Sequence, residues 1–291
     1  MTQPRIPPGV AKAELRDLLA AAEEIVFAEW TSADSTMDVM APGTASAGST
    51  GLDRITQLGM ALIEHEQDTA LEGVVETFLR LYRHREGQLS PGDKSPSSLL
   101  KASRWKAVIL RVFSLGGYAV SRSRFSVLRN LVLQVPEPRY VTQYWARATV
   151  TALARGELFQ PRSLVPPACD YIAEHVVLFH RFRDNKDETV NALCQFDFLQ
   201  GLIVTHETND VSRNFPSFGS YFKERTEPII RSLIEGGTAR SVLPDMNDSR
   251  LAELIAVLDQ NAAHVFFDTS GWESGWSDPR IGGFLKQHGR K

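Results

Sequence analysis

The sequence predicts an all-α fold, built from antiparallel helical hairpins stacked as an irregular HEAT-like helical-repeat array or bundle. Three observations predict it. Apolar residues recur three to four apart through most of the chain, as one buried stripe per helix requires. No run alternates with period two between hairpin turns, as strands would. Proline or glycine punctuates most junctions, and pairs of helical segments start roughly 40 residues apart, a spacing that suits helical-repeat stacking.

Each element follows from its residues. AKAELRDLLAAAEEIVFAEW (11–30) is rich in Ala, Leu and Glu, and Leu15, Leu18, Leu19 and Ile25-Val26 form its expected buried stripe. The small, polar residues of 31–51 predict a mobile loop. Leu52 to Arg85 reads as a helical hairpin, with Ile55, Leu58 and Leu62 on the first arm and Val74, Val75, Phe78, Leu81 and Tyr82 on the second. GQLSPGDKSPSS (87–98) reads as a second loop, with Ser97 or Ser98 as a helix cap. A helix over 99–116 carries Trp105, Val108, Ile109, Val112, Phe113 and Gly116 on one face. Gly116-Gly117 is expected to interrupt it, and a shorter helix over 120–134 stops at Pro136. Further helices are predicted at 139–156, 166–183, 187–207, 217–235, 247–268 and 279–287.

The 291 residues are enough for one elongated domain or two packed ones. Cys169 and Cys194 form no CxxC pair, which argues against a disulfide framework and for a reducing, cytoplasmic setting. The N-terminus lacks the apolar segment of a secretory signal, and no apolar run approaches the ~20 residues of a membrane span. No membrane partner is expected.

Charge is distributed in blocks. Residues 1–93 carry a net −8, residues 95–163 a net +9 and residues 164–291 a net −5, inside a chain of net −3. Three regions are expected: acidic N-terminal helices (1–94) with a mobile loop at 31–51, basic central hairpins (95–163) and a C-terminal helical region with an aromatic tail (164–291); one continuous domain is the alternative. The basic candidates for binding a partner or nucleic acid are Lys101, Arg104, Lys106, Arg111, Arg122, Arg124 and Arg129. Lys101, Arg104 and Arg111 border the apolar stripe on one side and Lys106 on the other. In the helix over 120–134, Arg122 and Arg129 are seven apart and so share a face. Tyr118 and Phe125 stand close by, and basic residues among aromatics suit a phosphate backbone with stacked bases. The same charges also suit a solvated helix border whose arginine stems lie over the core edge.

Catalytic and metal motifs are sparse. His175 and His180 are five apart, the wrong spacing for two ligands on one helical face. An acid–base or metal site would need them together with Cys169, Asp170, Glu174 and His206. Arg80 and His84 stand one residue too close for the Arg-x4–6-His signature of the HEPN helical ribonucleases, and no such activity is carried over. Phosphate-cradling and nucleophile-elbow motifs are absent, and no cofactor or metal is expected. Asp197 and Asn261 fall within apolar stripes and predict buried polar networks. Phe266, Phe267, Trp272 and Trp276 form an aromatic cluster that either caps the helices or docks a partner through Trp272 and Trp276.

RWKAVILRVFSLGGYAVSRSRFSVLRNLVLQ (104–134), YWARATVTALARGELF (144–159) and NFPSFGSYFKERTEPIIRSLI (214–234) resemble helical accessory regions of bacterial antiphage-defence proteins. The resemblance covers about half the chain and brings no catalytic motif. It implies a subunit of a defence complex rather than an enzyme. The expected function is a non-enzymatic helical scaffold for a protein partner. A nucleic-acid module on the basic helices is the first alternative, and an enzyme with a site near His175 and His206 the second.

Overall fold

A computed structural model describes residues 11–35, 49–83, 96–133, 185–209, 223–265 and 276–289. Every regular element among them is helical: α1 (Ala11–Ser35), α2 (Ser49–Glu64), α3 (Asp68–Arg83), α4 (Pro96–Ser121), α5 (Ser126–Leu133), α6 (Lys186–Thr208), α7 (Lys223–Ile234), a 3-10 turn (Thr238–Val242), α8 (Asp248–Val265) and α9 (Pro279–His288). The all-α class is as the periodicity predicts. The helices predicted at 139–156 and 166–183 lie outside the described residues. So do most of the loop at 87–98 and the aromatics Phe266, Phe267 and Trp272. The described residues pack as two compact units, one ending at Leu115 and the other beginning at Gly116, both within α4.

In the first unit α1, α2 and α3 each pack against the other two. The buried face of α1 is Leu19, Ala22, Val26 and Trp30, spaced at i, i+3, i+7 and i+11. This is rotated from the stripe the sequence predicts: Leu18 is 55% exposed, and Leu15 and Ile25 are only partly covered. Helix also extends into both ends of the expected loop at 31–51, through Ser35 and from Ser49. Gly51 explains the second extension. A Cβ there would lie 2.5 Å from Val26 Cγ2 and 2.6 Å from the Ala22 carbonyl, so glycine lets α2 begin directly against α1. The turn between α2 and α3 closes with Gln67 N–H donating to the Leu62 carbonyl (2.9 Å) and Glu66 at φ 58°, a left-handed helix cap made without glycine. α4 starts at Pro96, so Ser97 and Ser98 lie inside its first turn rather than at its cap.

α4 does not break at the double glycine and continues to Ser121. Gly116 and Gly117 are contact points: an added Cβ would lie 2.2 Å from Phe196 Cζ at the first and 2.5 Å from Leu193 Cδ2 at the second. The helix ends one turn later. There Ser123, at φ 54°, caps it while Arg124 N–H reaches back to the Ala119 carbonyl at 2.8 Å.

α6 is central to the second unit and packs against α5, α7 and α8. It is capped by Asn185, which accepts from Glu188 N–H at 3.2 Å while its amide donates to the Glu188 carboxylate at 3.0 Å. Val190, Leu193, Cys194, Phe196, Phe198, Leu199, Leu202 and Ile203 are all buried. α9 completes the unit against α7 and α8. Its Pro279 start and Asp278 cap match the usual N-terminal chemistry.

Candidate functional site

The basic residues singled out by sequence separate once folded. Lys101, Arg104 and Lys106 lie on α4, and their side chains are outside the description. Arg111 is 3% exposed and donates from Nε to Asp53 Oδ1 on α2 at 2.9 Å. Burial pushes the Asp53 carboxyl above its ordinary value, and the Arg111 guanidinium pulls it back only in part. Arg111 therefore serves the core of the first unit and presents no charge to a partner. Arg129 on α5 pairs with Glu207 of α6. Arg122 lies 5.3 Å from the centre of the Tyr118 ring and donates to its hydroxyl at 3.3 Å. Arg122 and Arg129 do not share one helix, because the Ser123 turn separates them. Tyr118 and Phe125, read as stacking platforms for bases, are buried. Arg124 lines a surface hollow with Ser123, Phe125 and Ser126.

The other predicted centres divide similarly. Cys169, Asp170, Glu174, His175 and His180 lie outside the described residues. His206 is in the last turn of α6. Among the described residues no three His, Cys, Asp or Glu side chains gather as a metal site, and no helix is long and apolar enough to cross a membrane. Asp197 is buried to 1% exposure, as its place in the α6 stripe predicts. Asn261 is on α8, with its side chain outside the description. Trp276 is partly buried beside α9.

A polar clasp joins α7 to α9. Glu227 accepts from Ser277 N–H and hydroxyl, both 2.7 Å, and from Asp278 N–H at 3.0 Å. Asp278 in turn meets Arg231 at 3.2 Å and Arg280 at 2.9 Å. The hydrogen bonds from Arg280 hold the Asp278 carboxyl below its ordinary value. These contacts tie α9 to α7.

A groove of about 620 Å³ opens between α1 and α3. Ala13, Leu15, Leu19 and Ala20 form one wall and Thr69, Ala70, Gly73 and Thr77 the other, with Arg16, Glu76 and Arg80 among them. The α3 wall spans three helical turns, about 16 Å. Its volume is of the size that receives a ligand or a helix face. Arg80 is tied down: it donates to both Glu23 oxygens, at 2.9 Å from Nη2, and to Thr77 at 3.0 Å. The bond to Glu23 raises its pKa further. At 100° per residue, exposed Asp17 and Glu24 flank the α1 wall, and Glu72 and Glu76 run along the α3 wall. With Arg80 matched by Glu23, four carboxylates against Arg16 leave the rim acidic on balance.

No family model, no curated protein and no solved structure matches this chain.

The sequence reading passed over this groove. Its signal is a row of small residues, Ala13, Ala20, Ala70 and Gly73, which look like helix filler until two such rows face each other. The acidic balance of residues 1–93 was legible; where it would gather was not.

Proposed function

We propose that this chain is a non-enzymatic helical adaptor that receives a basic amphipathic helix of a protein partner in the α1/α3 groove. The observation that carries this reading is the open groove itself, with its apolar floor and acidic rim. Small residues let a partner backbone come close, and helix-in-groove recognition needs an apolar channel about three turns long. Lysines and arginines on the partner would complement Asp17, Glu24, Glu72 and Glu76 and speed encounter. The resemblance to helical accessory regions of antiphage-defence proteins supports the effector of a defence complex as that partner. Nucleic-acid binding is the weaker reading, because Arg111 and Arg129 are engaged by Asp53 and Glu207.

The test uses a labelled model helix with leucines at i, i+4 and i+7 and lysines elsewhere, titrated into the full chain. Gly73→Leu should fill the floor and weaken binding about tenfold or more, while Gly73→Ala, with its nearest neighbour at 3.5 Å, should retain most of it. Glu72→Lys with Glu76→Lys should slow association and reduce its salt dependence. Equal binding by Gly73→Leu and the parent chain would overturn the proposal, provided circular dichroism shows both folded.

A further inference from the structure

The groove between α1 and α3 suits a basic helix whose backbone can sink between two walls, and this chain itself carries one. We propose that α9 of a second copy of this chain occupies the groove when no other partner does. This rests on the reading of the groove as a receptor for a helix, and it names the occupant.

Two independent features of α9 point to it. The first is its glycines. Gly282 and Gly283 are consecutive inside the helix, although glycine is the poorest helix former after proline. At Gly51, Gly59 and Gly116 close packing explains the glycine: an added Cβ would lie 2.5 Å from Val26 Cγ2, 2.8 Å from Leu115 Cδ1 and 2.2 Å from Phe196 Cζ respectively. At Gly282 and Gly283 it would meet nothing within 4 Å. Their missing side chains thus serve no contact among the described residues, but they leave a bare backbone that another helix can approach closely. At 100° per residue Gly283 lies 200° round from buried Ile281, so it is on the outward face, and it is exposed.

The second feature is charge. Residues 279–291 contain Arg280, Lys286, Arg290 and Lys291 and no Asp or Glu. Arg280 is engaged by Asp278 and Glu235. Lys286 is exposed and stands 140° round from Ile281, beside Gly283 on the outward face. The groove offers the complement. Ala70 and Gly73 leave room for a backbone, and exposed Glu72 and Glu76 run along the α3 wall. The ten residues of α9 span about 15 Å, close to the length of that wall. The outward face is available while α9 keeps its packing on α7 and α8, so docking needs no unfolding. The two surfaces differ, so copies would join head to tail.

Sedimentation equilibrium of the full chain should show a mass that rises above 32.4 kDa with protein concentration and returns towards it as salt is added. Gly283→Leu, at an exposed position with nothing nearby, should weaken association about tenfold or more, and Gly73→Leu should do the same from the groove side. The decisive sample mixes the two. Each variant keeps the surface that the other has lost, so they should form a one-to-one pair at a concentration where each alone is monomeric. If circular dichroism shows Gly73→Leu to be less helical than the parent chain, Glu72→Lys with Glu76→Lys takes its place. A parent chain that is monomeric at every concentration would overturn the proposal. So would association that Gly283→Leu leaves unchanged, or a mixture that does not pair. The groove reading fails separately, if Gly73→Leu binds the lysine-rich model helix as tightly as the parent chain does.

Discussion

At Arg111 and Asp53 a buried charge meets a half-buried one, and the carboxyl's raised pKa shows desolvation outweighing the attraction of its partner. Such a pair adds little net stability, yet breaking it is costly, because the remaining ion stays in a poorly solvated place. Arg111→Met should therefore destabilise the first unit near neutral pH by about 3–5 kcal/mol, because it leaves the poorly solvated Asp53 carboxylate without its partner. Asp53→Leu combined with Arg111→Met should recover most of that loss. Urea unfolding of the single and double variants in one thermodynamic cycle measures both effects. A double variant no more stable than Arg111→Met would show that the pair itself holds α2 to α4. The sequence places Arg111 at the border of an apolar stripe, whereas the structure buries it at 3% exposure. Its role was not legible, because its partner is 58 residues away and only the packing of α2 on α4 brings the two together.

Helix existence was readable from local periodicity, and helix ends were not. The double glycine looked like a stop because glycine is the usual left-handed cap. In the fold the caps after α2 and α4 are Glu66 and Ser123, while Gly236 serves that role after α7. Gly116 and Gly117 are instead needed for their missing side chains. This yields a contrast between two glycines inside helices. Gly116→Ala would press a methyl group to 2.2 Å from the Phe196 ring and should cost about 1–3 kcal/mol. Gly73→Ala meets nothing closer than 3.5 Å and should stabilise α3 by up to about 1 kcal/mol. Melting temperatures of the two variants should move in opposite directions. Phe196→Leu should relieve the first and leave the second unchanged; movement of both in the same direction would rule out close packing as the reason for glycine at 116.

Across the whole molecule, the alternation of acidic, basic and acidic blocks is partly absorbed within the fold. Arg111 pairs with the N-terminal block through Asp53, and Arg129 with the C-terminal block through Glu207. The two units should then respond differently to acid. Asp278 has a folded pKa below 3.8, so its contribution is present above pH 3.8 and lost as pH falls through the folded value. Asp53 has a folded pKa above 3.8, so its contribution is complete below pH 3.8 and lost as pH rises through the folded value. Acidification thus weakens the clasp between α7 and α9 while relieving the charged Asp53 in the first unit. The parent chain should be more stable than Asp278→Asn near neutral pH, and that difference should shrink once the pH drops below 3.8. Urea midpoints for both proteins, at about pH 7 and about pH 3, test this. A difference of equal size at both pH values would mean that Asp278 holds α9 by shape and hydrogen bonding alone, with no contribution from its charge.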